Sequence, residues 1–338
     1  MSRPAVRMTA GSGASGSTAM TRVRTFRVWR ERESARQCLV LGASNTLPAV
    51  EKPVTFFSAG TRLAGDLYVP DGPGPWPGVV LCCGYTGIKD LYLNDMGRRM
   101  SSAGYVALTF DYKGWGQSEG PRLRLAPYGR VEDTQAAMTF LGLQPEAIAD
   151  RIGLYGISYG GSTATFAAAI DSRARAIVSV TGVGDGARWM RNVRYPWEYR
   201  DFIARGHRDW EEQVISGAST MAERAEVLKH DPRSAKIAAQ ARKNLKGAAM
   251  EVPLEFIHET LAFRPEWVVD RISPRAALFI TSDADELVLP EESAALFSRA
   301  GEPRKLVTLK GYGHYEVFNR PAIDEVMAET IAWYERYL

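Results

Sequence analysis

Arg151-Ile152-Gly153-Leu154-Tyr155-Gly156-Ile157-Ser158-Tyr159-Gly160-Gly161-Ser162 is the stretch whose reading decides the fold. Ile152 to Tyr155 reads as a short buried strand, and Gly161 to Ile170, rich in alanine, as a helix. Between them, Gly156-x-Ser158-x-Gly160 is the nucleophile-elbow pattern. It holds the serine in a strained backbone conformation and needs glycine on either side so that strand and helix can pass without Cβ clashes. Strain of this kind clusters at functional sites. The same turn sets Ser158 at a helix N-terminus, where free N–H groups and the helix dipole favour developing negative charge. A bare G-x-S-x-G also occurs in ordinary strand-to-helix turns. Here the preceding strand and the small-residue helix supply the context that the functional reading requires.

Working outward, Val79 to Cys83 and Tyr105 to Phe110 are continuous apolar runs, the mark of strands buried on both faces. Ahead of them Val54 to Val69 reads as a β-hairpin turning at Ala59-Gly60. Helices are expected at about 94–103 and 131–141, and another strand at Ala176 to Val180. The pattern resumes with a strand at Ala276 to Thr281, a helix at 291–300, a strand at Lys305 to Leu309 and a helix at 322–337. Alternating buried strands and helices imply a mostly parallel sheet with helices on both faces. From Gly184 to Ile272 the alternation stops. That stretch has no convincing strand but carries Trp189, Tyr195, Trp197, Tyr199, Phe202 and Trp210. The expected organisation is therefore a core of residues 51–183 and 273–338, with a helical cap or lid over residues 184–272. Its aromatics either pack the insertion's own small core or line an apolar pocket, with Trp189 and Trp197 as the pocket candidates.

Residues 1–50 do not read as core. Met1 to Met20 holds no acid and the first carboxylate is Glu31, a composition that buries little surface and predicts a disordered extension. An Arg-rich targeting segment, or a true start at Met8 or Met20, are the alternatives.

The 338 residues are 45% hydrophobic and 24% charged, ordinary for a globular chain with a sizeable core. A net charge of +3 is too small to argue for nucleic acid or a membrane surface as partner, and neither is expected. No run approaches the roughly 18 apolar residues of a membrane span. Three cysteines, Cys38, Cys82 and Cys83, give no disulfide framework and point to a reducing, cytoplasmic setting. Cys82 and Cys83 should face opposite sides of their strand and be inert there.

A serine hydroxyl needs a base within hydrogen-bond reach. Of the four histidines, His207, His230 and His258 fall in the charged insertion, where exposure is the ordinary expectation. His314, in Gly311-Tyr-Gly-His314-Tyr, follows the last strand at the sheet edge where ligands bind in open parallel sheets. The base needs an acid to fix its tautomer. Asp283, Asp285 and Glu286, after the strand ending at Thr281, all qualify by chemistry, and the spacing to Val288 favours Asp285. An oxyanion hole needs two backbone N–H donors. Tyr159, next to the serine, and Tyr85, in Cys83-Gly84-Tyr85-Thr86-Gly87, are the candidates. Asp111 reads as an anchor for the glycine-rich loop at 111–120 and Asp171 as a turn residue. No metal-ligand spacing or phosphate-binding loop appears, so neither metal nor cofactor is expected.

These motifs carry a resemblance. Cys-Cys-Gly-Tyr-Thr-Gly-Ile-Lys-Asp (82–90), Phe-Asp-Tyr-Lys-Gly-Trp-Gly-Gln-Ser-Glu-Gly (110–120) and Gly-Ile-Ser-Tyr-Gly-Gly (156–161) resemble the α/β-hydrolase superfamily over residues 54–338. The dienelactone-hydrolase-like and X-Pro dipeptidyl-peptidase-like branches are the most similar, together with hydrolase-like proteins of polyketide pathways, some of which transfer acyl groups. The resemblance implies an α/β-hydrolase fold and a triad in the chain order Ser158, Asp285, His314. Two departures stand out: Cys83 replaces the histidine of a His-Gly oxyanion motif, and the extra C-terminal β-domain of X-Pro peptidases is not seen, which weighs against a peptidase. The expected activity is serine-dependent cleavage of an ester, lactone or thioester. Acyl transfer, C–C bond hydrolysis or a lyase reaction, and non-catalytic binding on the same scaffold are the alternatives. The expected partner is a small molecule with an apolar acyl or ring group, and a homodimer remains open.

Overall fold

The computed structural model describes residues 50–243, 245 and 247–338. The extension expected over residues 1–50, with Cys38, lies outside them except for Val50, which opens the first strand. Strands β1 (Val50–Ser58) and β2 (Thr61–Val69) form the expected hairpin, with Ser58 opposite Thr61 and both Ala59 and Gly60 at positive φ in the turn. After them come β3 (Trp76–Cys82), α1 (Leu93–Ser102), β4 (Val106–Phe110), α2 (Pro127–Gly142), β5 (Ala147–Ile157), α3 (Tyr159–Ile170) and β6 (Ala174–Val180). The core closes with β9 (Ala276–Ser282), α9 (Pro290–Arg299), β10 (Arg304–Leu309) and α10 (Ala322–Tyr337).

These strands make one eight-stranded sheet in the order β1-β2-β4-β3-β5-β6-β9-β10. The hairpin joins it antiparallel through β2 and β4, and every pair from β4 to β10 is parallel. Strands β4 and β9 are buried along their whole length, as strands with helices on both sides must be. Helices α1 and α10 are joined by an Arg99–Asp324 ion pair of 2.7 Å, and the Tyr334 hydroxyl donates to the Leu154 carbonyl at 2.7 Å to tie α10 to β5. This is the α/β-hydrolase architecture, with parallel strands that all aim their carboxyl ends at one edge.

Between β6 and β9 run α4 (Gly186–Asn192), α5 (Pro196–Ser216), β7 (Met221–Glu223), α6 (Arg224–Val227), α7 (Pro232–Arg242), β8 (Glu251–Pro253) and α8 (Glu255–Ala262). The expectation of no strand here needs correcting, because β7 and β8 pair antiparallel from Met221 opposite Pro253 to Glu223 opposite Glu251. Three residues a side are too few to carry an alternating pattern, so the ribbon is invisible to periodicity.

Candidate active site

The turn after β5 places Ser158 at φ 53° and ψ −128°, a conformation that a side chain rarely adopts. Two hydrogen bonds hold it: the Ser158 N–H donates to the Val180 carbonyl at 2.8 Å, and the Gly161 N–H donates to the Ser158 carbonyl at 2.8 Å. The flanking glycines are needed for space. A Cβ on Gly160 would stand 2.1 Å from the Cys82 carbonyl oxygen, and one on Gly156 would stand 2.2 Å from the Gly160 carbonyl oxygen. No side chain survives such contacts with backbone atoms.

The loop after β10 brings His314 over this turn, with Nε2 3.0 Å from Ser158 Oγ. Its Nδ1 lies 2.7 Å from Asp285 Oδ2. The other carboxylate oxygen accepts the N–H groups of Leu287 at 3.0 Å and Val288 at 2.8 Å, so Asp285 is aimed by its own loop. Asp283 and Glu286, the other acids of the loop, are exposed and elsewhere. Asp283 accepts the Gly311 N–H at 2.8 Å and pairs with Lys310 at 3.1 Å, pinning the β10 turn. His314 and Asp285 are 1% and 2% exposed, so their hydrogen bond is shielded from bulk water, while Ser158 at the other end is half-buried and open to a cavity.

Tyr159 opens α3, and first-turn amides of a helix have no intrahelical partner. Tyr85 is oriented by a residue that sequence reasoning missed. Arg130, buried on α2, donates from Nη1 to the Gly84 carbonyl at 2.9 Å and from Nη2 to the Tyr85 carbonyl at 2.8 Å. A trans peptide points its N–H opposite its C=O, so the Tyr85 N–H is turned away from Arg130. Gly84, Tyr85 and Ser158 line one cavity of about 40 Å³, walled also by Thr86, Leu91, Tyr92, Arg224, Arg242, Tyr315 and Phe318.

A model of the X-Pro dipeptidyl-peptidase (S15) family matches residues 59–315. The chain belongs to that family. It is 25% identical over 289 residues to a thiohydrolase of Eupenicillium brefeldianum, covering 81% of this chain and 90% of that one. It is 24% identical over 307 residues to the polyketide transferase claH of Penicillium crustosum, covering 86% and 99%. The solved α/β-hydrolase GrgF from Penicillium sp. sh18 shares the fold, with a TM-score of 0.72 at 22% identity over 85% of this chain and 99% of that one. Family and fold together make this an enzyme of the α/β-hydrolase class.

The two tryptophans that the sequence offers as pocket walls part company. Trp189 is 1% exposed but lies behind the cavity, its ring edge-on to Tyr85 with centroids 5.4 Å apart and 6.0 Å from the Tyr159 ring. Its indole N–H donates to the Leu287 carbonyl at 2.7 Å. Trp197 is not brought to the cavity at all, because it stacks on Tyr195 at 4.7 Å and stays 56% exposed. The insertion's aromatics therefore pack neither purely among themselves nor around the cavity. Phe256 and Phe263 join Trp189 against Tyr85 and Tyr159, at 5.4 and 5.5 Å, and seal the joint between insertion and core.

Asp111 anchors its loop as expected, accepting the N–H groups of Lys89 at 2.8 Å and Gln117 at 2.9 Å. The two thiols diverge across the strand. Cys82 meets Thr134 at 3.7 Å and Cys83 the Gly87 carbonyl at 3.2 Å, and burial pushes their pKa values up to about 11 and about 12. Such thiols stay protonated and unreactive at neutral pH.

His230 departs from the expected exposure. It is half-buried, its Nε2 2.9 Å from the Tyr315 hydroxyl, whereas His207 and His258 are exposed. Burial, then Arg224, His314 and Arg242, push its pKa down to about 3 against the opposing pull of Asp231. An unfolded histidine titrates near 6.5, so below that pH the unfolded chain takes up a proton that the folded chain refuses. The contribution is fully present above about pH 6.5 and drains away as pH falls toward 3. Urea unfolding at pH 7 and pH 5 should show the wild type losing about 2 kcal/mol more than His230→Gln over that interval. Equal losses in the two proteins would mean that His230 protonates freely in the fold.

Proposed function

We propose that this protein is a serine hydrolase that cleaves an ester, lactone or thioester through an acyl-enzyme on Ser158. The observation that carries the reading is the unbroken chain from Ser158 Oγ to His314 Nε2, 3.0 Å, and from His314 Nδ1 to Asp285, 2.7 Å, at a strained elbow. Oγ attacks the carbonyl carbon while its proton passes to His314 Nε2. Asp285 accepts the Nδ1–H, holding the productive tautomer and stabilising the imidazolium. The N–H groups of Tyr85 and Tyr159 receive the charge that develops on the carbonyl oxygen. When the tetrahedral adduct collapses, the imidazolium returns its proton to the departing alkoxide or thiolate. Water, deprotonated by His314 in its turn, then releases the acid and restores Ser158.

Acyl transfer is the second reading, and a specific observation favours it. His314 is 1% exposed and the cavity at Ser158 holds about 40 Å³, little room for a hydrolytic water beside a bound acyl group. The names of the thiohydrolase and polyketide-transferase relatives fit cleavage and transfer of thioester-borne acyl groups, respectively.

The experiment is intact-mass analysis after mixing the protein with an acyl thioester, followed by peptide mapping and by addition of an alcohol or amine. A Ser158 acyl adduct that decays in buffer supports the hydrolase, and one that decays only on adding acceptor supports the transferase. Turnover with the acyl group on another residue overturns both.

A further inference from the structure

The cavity at Ser158 contains a feature that ester cleavage does not require. Two arginines of the insertion, Arg224 at the start of α6 and Arg242 at the end of α7, reach into it and are 8% and 9% exposed. Both converge on one hydroxyl, with Arg224 Nε donating to Thr86 Oγ1 at 2.6 Å and Arg242 Nη2 donating to it at 2.8 Å. Arg242 Nη2 also reaches the Thr86 carbonyl at 3.1 Å, and Arg224 Nη2 the Tyr315 hydroxyl at 3.3 Å. Neither forms an ion pair among the described residues, and Arg242 Nη1 is buried with no hydrogen-bond partner among them.

Burying a guanidinium without a counter-charge costs several kcal/mol, and two that share one hydroxyl also repel each other. The strain is visible in Arg242, whose pKa burial and Arg224 push down to about 10, still charged at neutral pH. Elsewhere buried Lys89 is met by Asp66 at 2.5 Å and half-buried Arg188 by Glu266 and Glu292 at 2.8 and 2.7 Å, while buried Arg130 is met by the two carbonyls of Gly84 and Tyr85 that it positions. At the cavity no carboxylate among the described residues pairs with either arginine, and both arginines line the space that Ser158 shares.

Resting on the acyl-enzyme reading above, we propose that Arg224 and Arg242 bind an anionic oxygen group of the substrate, a carboxylate or a phosphate, so that the preferred acyl donors carry a negative charge. The group would take the free donors of Arg242, relieve the repulsion between the two guanidiniums and seat the substrate beside Thr86. Thr86 adjoins Tyr85, so occupancy of the anion site and alignment of the Tyr85 N–H are coupled through one peptide. The outer surface of α7 borders a cleft of about 530 Å³ that shares Tyr92 with the inner cavity and is lined by Lys236 and by Arg233, the latter paired with Glu316.

The test uses two matched substrate pairs with the full-length protein. On the acyl side, 4-nitrophenyl hydrogen adipate is compared with its methyl ester. On the leaving-group side, a butyryl thioester of 4′-phosphopantetheine is compared with that of pantetheine. In the wild type, kcat/KM should favour the anionic member of at least one pair by about tenfold or more, the scale of a charge-assisted hydrogen bond. The pair that responds identifies carboxylate or phosphate as the group bound. That ratio should fall toward one in Arg242→Gln and Arg224→Gln, and Arg242→Lys should restore part of it. Ratios near one in both pairs, or a preference that survives both glutamine substitutions, overturn the proposal. An arginine that only braces Thr86 would lower both members of a pair together and leave the ratio intact.

Fluorophosphonate labelling in the same samples separates the two failures. Labelled Ser158 with ratios of one removes only the anion site, whereas turnover without a reactive Ser158 removes the acyl-enzyme on which it rests. If a variant does not fold, the wild type still decides. Adipate or inorganic phosphate should slow labelling of Ser158 relative to chloride at equal ionic strength, and an unchanged rate with both overturns the site.

Discussion

Ser158→Ala is expected to lower ester or thioester turnover by roughly 10⁴- to 10⁶-fold, the loss seen when the nucleophile of a serine triad is removed. Fluorophosphonate labelling should vanish with it. The fold should be untouched, because the elbow is held by backbone atoms: the Ser158 N–H on Val180 and the Gly161 N–H on the Ser158 carbonyl, both at 2.8 Å, survive the change. Alanine keeps a Cβ, so the strain of φ 53° is retained and neither relieved nor increased. Ser162, one turn further along α3, is the natural decoy and should not compensate. It is fully buried, and its Oγ already accepts the Val183 N–H at 2.9 Å, with no histidine in reach to take its proton. Labelling that moves to Ser162, or turnover that persists in Ser158→Ala with the circular dichroism of the wild type, would remove Ser158 from the mechanism.

That Ser158 could be singled out at all follows from local necessity. An elbow demands Gly156 and Gly160 within five residues, and buried parallel strands demand continuous apolar runs, so both leave short-range marks in the sequence. His314 and Asp285 were legible for a similar reason, since each follows a recognisable strand, although their distances to Ser158 are properties of the folded sheet. The arginines were not legible. Arg130, Arg224 and Arg242 act on Gly84, Tyr85 and Thr86 across sequence separations of 46, 138 and 156 residues. Nothing local separates an inward arginine from the many that are solvated. A fainter signal did exist. Arg130 falls on the buried face of α2 with Val131, Thr134, Ala137, Met138 and Leu141, and Arg242 continues the buried face of α7 after Ser234 and Ala238. A charged residue in register with an apolar helical stripe asks for a buried partner. The insertion's aromatics misled in the other direction, because spacing cannot distinguish a pocket wall from the packing behind it.

Trp189 is where that distinction has its largest consequence. Trp189→Ala should destabilise the protein by about 3–5 kcal/mol, the range for deleting a large buried aromatic. Its ring packs against both Tyr85 and Tyr159, which also touch each other at 5.1 Å, and its N–H satisfies the Leu287 carbonyl at 2.7 Å. The loss should reach the chemistry without any contact to substrate. The N–H of that same peptide, Val288's, donates to Asp285 at 2.8 Å, so loosening the peptide loosens the acid that orients His314, while the void left beside Tyr85 and Tyr159 frees both proposed oxyanion donors to shift. Values of kcat/KM for short and bulky acyl esters should therefore fall together. Trp197→Ala is the internal control, with an exposed side chain stacked only on Tyr195, expected to change stability by less than about 0.5 kcal/mol. Urea unfolding of both variants, with kinetics on the two esters, reads the contrast directly. If Trp189→Ala keeps its stability and loses only the bulky ester, Trp189 is a pocket wall, and the joint between insertion and core is held by Phe256 and Phe263 without it. If both esters fail in step with stability, the insertion acts on the reaction through the backbone of the oxyanion loop and the Asp285 turn, and selection among substrates falls to the residues that line the cavity itself, Arg224 and Arg242 foremost.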